Sequence, residues 1–211
     1  MSERAYSDIL LKRAAVLKTL QSYGEGADGY DPKNRFIANG PDLGGESGGG
    51  LYAPAMARYT GNLYSVSGLK PAAAKIIGAP NAPRLIILSA LYGPLHPLSL
   101  IQYYNLEMRK TCAKGEWSKA FPPFLEDYVR QNHISQVVLY LGSGSAYFPI
   151  AKRAVKYVRA RGISLRCTQY HVTDGSTPVT PPEHGRRFLD DLDSRESEGF
   201  PRATKIEERP I

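Results

Sequence analysis

The apolar run Leu85-Ile86-Ile87-Leu88, followed within a few residues by Gly93, Pro94 and Pro97, constrains the fold more than any other part of the chain. Short, β-branched and unbroken, the run reads as a buried strand over about 84–89. The glycine and the two prolines stop that strand and forbid an immediate helix. The segment after it carries Ser89, Tyr92, His96, Gln102, Tyr103, Tyr104 and Glu107. Polar and aromatic groups gathered at the carboxyl end of a buried strand are where open α/β sheets bind ligands.

The remaining elements follow in readable order. Ser7 can cap a helix over about 8–22, with Ile9, Leu10, Val16, Leu17 and Leu20 as its apolar side. From Gly24 to Gly50 the chain is Gly-rich and reads as a long mobile loop, or as a phosphate-cradling loop if ordered; no Gly-Lys-Ser/Thr follows, so it is not a P-loop. A short helix near Pro71–Ile77 precedes the first strand. A helix over about 116–132 follows the polar and aromatic segment after that strand. Gln136–Leu141 is a second strand, closed by Gly142-Ser143-Gly144-Ser145. A helix from Phe148 to Arg161 is ended by Gly162, and Ile163–Val172 is a third strand. Thr177–Pro182 connects to a last helix that Pro181-Pro182-Glu183 can start and that ends near Leu192. This order argues for a single α/β domain with a partly parallel mixed sheet flanked by helices. Residues 1–50 form an N-terminal helix and Gly-rich loop, 51–193 the α/β domain, and 194–211 a charged, thinly apolar tail expected to be mobile.

The segment 89–108 resembles the signature of the YaaA family of peroxide-stress proteins. Ser89, Leu91, Tyr92, Gly93, Leu95, Pro97, Leu98, Leu100, Gln102, Tyr104, Leu106, Glu107 and Met108 match it. Arg58-Tyr59-Thr60-Gly61-Asn62-Leu63-Tyr64 and Leu141-Gly142-Ser143-Gly144-Ser145-Ala146-Tyr147 resemble two further family segments. The resemblance covers about 52–155. It implies a YaaA-like core, a part in limiting oxidative damage to DNA and protein, DNA binding, and a fold with features similar to helix-hairpin-helix DNA glycosylases. Departures are visible too: His96 replaces an arginine, Ala146 replaces a glutamate, and the family's basic flanking segments are not recognisable.

If the strands before Tyr92-Gly93 and Gly142-Ser143 are parallel neighbours, both turns open on one edge. The crevice between them is then the candidate site, walled by Ser89, Tyr92, His96, Gln102, Tyr104 and Glu107 on one side and Ser143, Ser145 and Tyr147 on the other. Glu107, buried beside Tyr104, would be an acid or base; otherwise it accepts a structural hydrogen bond or pairs with Arg109 or Lys110. With Tyr104 and His96 it forms the candidate catalytic set. Tyr92, Tyr103, Tyr104 and Tyr147 are able to stack a nucleobase, or are plain core residues. Amides of the Ser143 turn favour an anion such as phosphate. The turn is not a Gly-x-Ser-x-Gly elbow, and no triad accompanies it.

Lys152, Lys156 and Arg159 fall at i, i+4 and i+7 on one helix face, with Arg153 and Arg161 nearby and Ile150, Ala154, Val155 and Val158 opposite. Such a stripe tracks a phosphate backbone or is a solvated outer face. The net charge of +7 suits a polyanion. The partner expected is therefore DNA or a nucleotide-like small molecule, with no membrane and no cofactor. The alternatives are an enzyme acting on a nucleobase or nucleoside N-glycosidic bond and a non-catalytic binding module. No stretch is apolar enough to span a bilayer, and the Met-Ser-Glu-Arg opening lacks a signal peptide's apolar region. Cys112 and Cys167 make no framework, so a reduced cytoplasmic compartment is expected. His96, His133, His171 and His184 are scattered without metal-ligand spacing, although His171 with Asp174 could edge a site. Oligomeric state is not encoded in any of these features.

Overall fold

The computed structural model describes residues 3–27, 30–37, 52–77, 79, 83–172, 180–193 and 206–210. Helix α1 (Glu3–Gln21) buries Ile9, Val16, Leu17 and Leu20, which recur at helical spacing along one face. Ser7 lies inside this helix rather than at its cap. Glu3, Arg4 and Ala5 are good helix formers and carry it a further turn. A 3-10 turn (Pro32–Phe36) follows, capped by Asp31, whose Oδ1 accepts from Lys33 N–H at 2.8 Å.

Two short antiparallel ribbons come next. Strand β1 (Ala53–Pro54) leads into helix α2 (Ala55–Arg58) and pairs with β4 (Leu100–Ile101). Helix α3 (Leu69–Ile76) precedes β2 (Ile87–Ser89), which folds straight back onto β3 (Gly93–Leu95). The apolar run thus ends in a tight hairpin. Ser89 Oγ accepts from Tyr92 N–H at 3.0 Å, and Gly93 adopts a left-handed φ of 69°.

Helix α4 (Thr111–Gln131) packs against α1 on one side and α5 (Phe148–Ala160) on the other. It begins a turn and a half before the expected Glu116, because Gly115 obscures the helical pattern there. It also runs through Pro122 and Pro123, which remove the amides that would have bonded to the carbonyls of Ser118 and Lys119. Buried Trp117 sits in its first half, and its Nε1–H donates to Ala90 C=O at 2.7 Å. This bond ties the helix to the β2–β3 turn.

The main sheet is built from β5 (Gln136–Leu139), β6 (Arg166–Val172) and β7 (Ile206–Pro210). The β5–β6 pair is parallel with α5 as its crossover, and β6–β7 is antiparallel. Helix α5 ends as expected, with Gly162 at a positive φ just beyond it. Helix α6 (Thr180–Asp193) packs on α3, where Gly185 faces Leu63 C=O and Val66.

Small sheets and many helices make this an α/β domain with a mixed sheet, as expected. The strand pairing differs from expectation in two respects. Strand β2 pairs with β3, not with β5, because Gly93 reverses the chain where a through-strand needed it to continue. In addition, residues 206–210 of the charged closing segment supply β7, although their composition gave no sign of a strand. Residues 44–50 of the Gly-rich stretch, Asp174 and residues 194–205 lie outside the described residues.

Candidate functional site

The β2–β3 turn nucleates a chain of hydroxyl groups. Ser89 Oγ, having accepted from Tyr92 N–H, lies 2.8 Å from the Tyr104 hydroxyl, which lies 2.9 Å from the Tyr59 hydroxyl. The rings are in contact as well. Tyr59 stacks on Tyr64 with centroids 5.4 Å apart, and Tyr104 meets Tyr59 and Tyr92 edge-on at 6.4 and 5.7 Å. The Tyr92 hydroxyl accepts from Gln102 N–H at 3.0 Å and bonds its side chain too. Tyr147, immediately before α5, lies close enough to Tyr64, Tyr104 and Glu107 to sense their charge. Tyr147, beyond the second turn, is thus placed near Tyr104 and Glu107 of the first.

Burial governs the electrostatics. It pushes the Tyr92 phenol up to about 12, against the hydrogen bonds from Gln102 and the charge of Arg13, which pull it down. Burial likewise raises Tyr59, Tyr64, Tyr104 and Tyr147 well above the ordinary range for a phenol. All five are therefore neutral near pH 7. They offer hydroxyl donors and acceptors and ring faces, not phenolate nucleophiles. Tyr59, Tyr64, Tyr104 and Tyr147 are half-buried, while Tyr92, Ser89 and Gln102 are buried.

The remaining expected residues are placed differently. Glu107 is not buried beside Tyr104: its side chain is 55% exposed and ion-paired with Arg109. His96 lies exposed on the β3–β4 turn, where its Nδ1 accepts from Leu98 N–H at 3.2 Å. Tyr103 is exposed beneath the Lys33 ammonium, 5.4 Å from its ring centroid. Ser143 is exposed. Ser145 shapes the turn, its Oγ accepting from Tyr147 N–H at 3.2 Å. The amides of Ser145, Tyr147 and Phe148 are all bonded within that turn, and Pro149 has none. The turn therefore has fewer N–H groups to offer an anion than its glycines and serines suggested.

Helix α5 presents Lys152, Lys156 and Arg159 on its exposed face and buries Ile150, Ala154, Val155 and Val158. Lys152 Nζ stands 5.7 Å from the Phe148 ring centroid, which holds that charge over the first turn beside Tyr147. Arg159 is tethered, its Nε–H donating to Leu165 C=O at 2.8 Å. Among the described residues no group of three or more His, Cys, Asp or Glu side chains is arranged to hold a metal ion. Among the same residues no helix is long and apolar enough to cross a membrane.

Two supports of the site went unread in the sequence. Arg13 of α1 donates from Nε to Tyr92 C=O at 2.7 Å and stands 5.7 Å from the Tyr92 ring centroid, bracing the hairpin from outside. Buried Asn34 exchanges two hydrogen bonds with the backbone of Asn105, at 2.8 and 2.9 Å. Asn105 Nδ2 donates in turn to Asp31 at 2.9 Å, and this bond leads the causes that lower the Asp31 pKa. Tyr59 and Tyr64 were visible only as fixed positions of a matched segment, without a role.

A family model described as peroxide stress protein YaaA matches residues 31–178, well over half of the chain. No curated protein and no solved structure matches the chain significantly. The matched range contains every member of the tyrosine cluster and helix α5. Helix α1, with Arg13, lies outside it.

Proposed function

The chain belongs to the YaaA family of peroxide-stress proteins, and from that premise we propose that it binds a nucleic-acid strand, or a nucleotide or nucleoside of the same chemistry, in protection against oxidative damage. The base would lie against the tyrosine cluster and the phosphates along α5. The observation that carries this reading is the Ser89–Tyr104–Tyr59 hydroxyl chain, with Tyr147 joining it to the head of a basic helix. Neutral hydroxyls on partly buried tyrosines suit a planar base with donors and acceptors on its rim. Aromatic–base stacking is worth about 1–3 kcal/mol per base. Lys152, held above the first turn of α5, would supply a cation for a phosphate group. The free thiols Cys112 and Cys167 fit a reducing compartment such as the cytoplasm.

A second reading, cleavage of a nucleoside N-glycosidic bond, draws on the nearness of Glu107 to Tyr147. Its carboxylate would stabilise an oxocarbenium-like centre after release from Arg109. Equilibrium binding of nucleosides, nucleotides and short oligonucleotides, with mass spectrometry for released base, tests both readings. Saturable binding without release supports the first. Base release that is lost in Glu107→Gln supports the second. No binding by any of these ligands removes both and leaves a module for some other partner.

A further inference from the structure

A second polar network lies at the carboxyl end of β5, apart from the tyrosine cluster. The Tyr140 hydroxyl donates to Asp191 Oδ2 at 2.7 Å, and the Tyr170 hydroxyl donates to the same oxygen at 2.8 Å. Arg187 Nε lies 2.8 Å from the other carboxylate oxygen, and Arg187 Nη2 donates to the Tyr170 hydroxyl at 2.9 Å. The guanidinium also stands 4.3 Å from the Tyr170 ring centroid. The two phenol rings are 5.5 Å apart, and Tyr140 packs on Phe188 at 4.7 Å.

Two phenols aimed at one carboxylate oxygen is an unusual provision. Removing an electron from a phenol makes its O–H strongly acidic, so oxidation is easy only where the proton has an acceptor within hydrogen-bond reach. Tyr59 and Tyr104 meet tyrosine and serine hydroxyls, which are poor bases, and the Tyr92 hydroxyl accepts from an amide. Tyr140 and Tyr170 meet a carboxylate over short, charge-assisted bonds. Arg187 then separates the two. Its cation over the Tyr170 ring, and its N–H on the Tyr170 oxygen, oppose the loss of an electron there. Tyr170 is also only 4% exposed, whereas Tyr140 reaches the surface.

We propose that Tyr140 is a redox-active tyrosine with Asp191 as its proton acceptor, a site for one-electron oxidants of the class that peroxide and iron form, hydroxyl radical or, in bicarbonate, carbonate radical. One electron passes from the Tyr140 ring to the oxidant, reducing a hydroxyl radical to hydroxide or a carbonate radical to carbonate. The phenolic O–H bond breaks, and its proton moves to Asp191 Oδ2, leaving a neutral tyrosyl radical and a neutral carboxylic acid. A one-electron reductant such as ascorbate returns the electron, is itself oxidised, and the proton moves back from Asp191. Burial and the adjacent Asp191 charge push the Tyr140 pKa up, so proton and electron leave together rather than proton first.

The test is to generate carbonate radical by flash photolysis in substoichiometric amount with the full-length protein. Tyrosyl absorption and its EPR signal are then followed in wild type, Tyr140→Phe, Tyr170→Phe and Asp191→Asn. Circular dichroism confirms that each variant is folded. The wild type should give a long-lived tyrosyl radical that Tyr140→Phe largely loses and Tyr170→Phe keeps. Asp191→Asn should lower its yield. If Asp191→Asn does not fold, the two tyrosine variants decide. An unchanged yield and lifetime in Tyr140→Phe, or loss in Tyr170→Phe alone, overturns the proposal.

Discussion

Trp117 fills the space that any side chain at position 93 would need. A Cβ built on Gly93 falls 2.6 Å from Trp117 Cη2, and the backbone there holds φ at 69°. Gly93→Ala therefore meets a steric clash and a strained backbone at one position. The expected cost is about 2–4 kcal/mol, read as a lower denaturation midpoint in urea. A stability close to wild type would mean that the hairpin and Trp117 do not pack as described.

The hydroxyl chain is a unit. Ser89→Ala removes the acceptor of Tyr92 N–H and one partner of the Tyr104 hydroxyl. Because the amide is buried, a loss of about 1–3 kcal/mol is expected. Tyr104→Phe keeps the ring but leaves Ser89 and Tyr59 without their shared partner. In a double-mutant cycle the two changes should be non-additive, since each breaks the same 2.8 Å contact. Additive losses in thermal unfolding would show that the contact contributes nothing.

Raised phenol pKa values make stability fall at alkaline pH. The Tyr92 phenol titrates near 10 when unfolded and at about 12 when folded. A group raised in the folded state contributes fully below its unfolded pKa, and the contribution is lost as pH rises through the folded value. Tyr59, Tyr64, Tyr104 and Tyr147 are raised in the same direction. Stability should thus be flat from pH 7 to about 9 and decline from about 10 towards 12 as unfolded phenols ionise. Ultraviolet titration at the phenolate band, followed alongside circular dichroism, should show the buried tyrosines ionising only with unfolding. Ionisation of every tyrosine near 10 in a folded protein would contradict their burial.

Arg13 links a helix outside the family-matched range to the turn at its centre. Arg13→Gln should destabilise by about 1.5–3 kcal/mol, the range for a hydrogen bond from a charged donor. Deletion of α1 should cost far more, because Ile9, Val16, Leu17 and Leu20 are buried. A truncated chain as stable as the full one would show that α1 is only an appendage.

Much of this was legible in the sequence, for physical reasons that differ between elements. Helix α5 was clear because its apolar residues keep strict helical spacing and Gly162 marks its end. Strand β5 was clear because the apolar Val137-Val138-Leu139 run is closed by Gly142-Ser143, and β6 because it follows the helix-ending Gly162. The fate of β2 was not, because a glycine that ends a strand and one that reverses it look alike; only the fit of Trp117 to Gly93 distinguishes them. The tyrosines of 89–108 were found by composition, but Tyr59 joins them through a contact across 45 positions that no local pattern encodes. Glu107 attracted a chemical role as an isolated acid, yet two residues on stands the arginine that pairs with it. Strand β7 went unseen because an edge strand that borrows its register from β6 needs little apolar pattern of its own.

The measurement that bears most directly on the proposed function is fluorescence anisotropy of labelled single- and double-stranded oligonucleotides over a range of salt. It compares the wild type with the double variant Lys152→Glu, Lys156→Glu, both residues being exposed on α5. The account predicts saturable binding at low salt, weakened by the double variant, with a log–log salt slope reduced by about 1 for each lysine that contacts a phosphate. Equal affinity and slope in the two proteins, or no binding to either oligonucleotide at low salt, would contradict it.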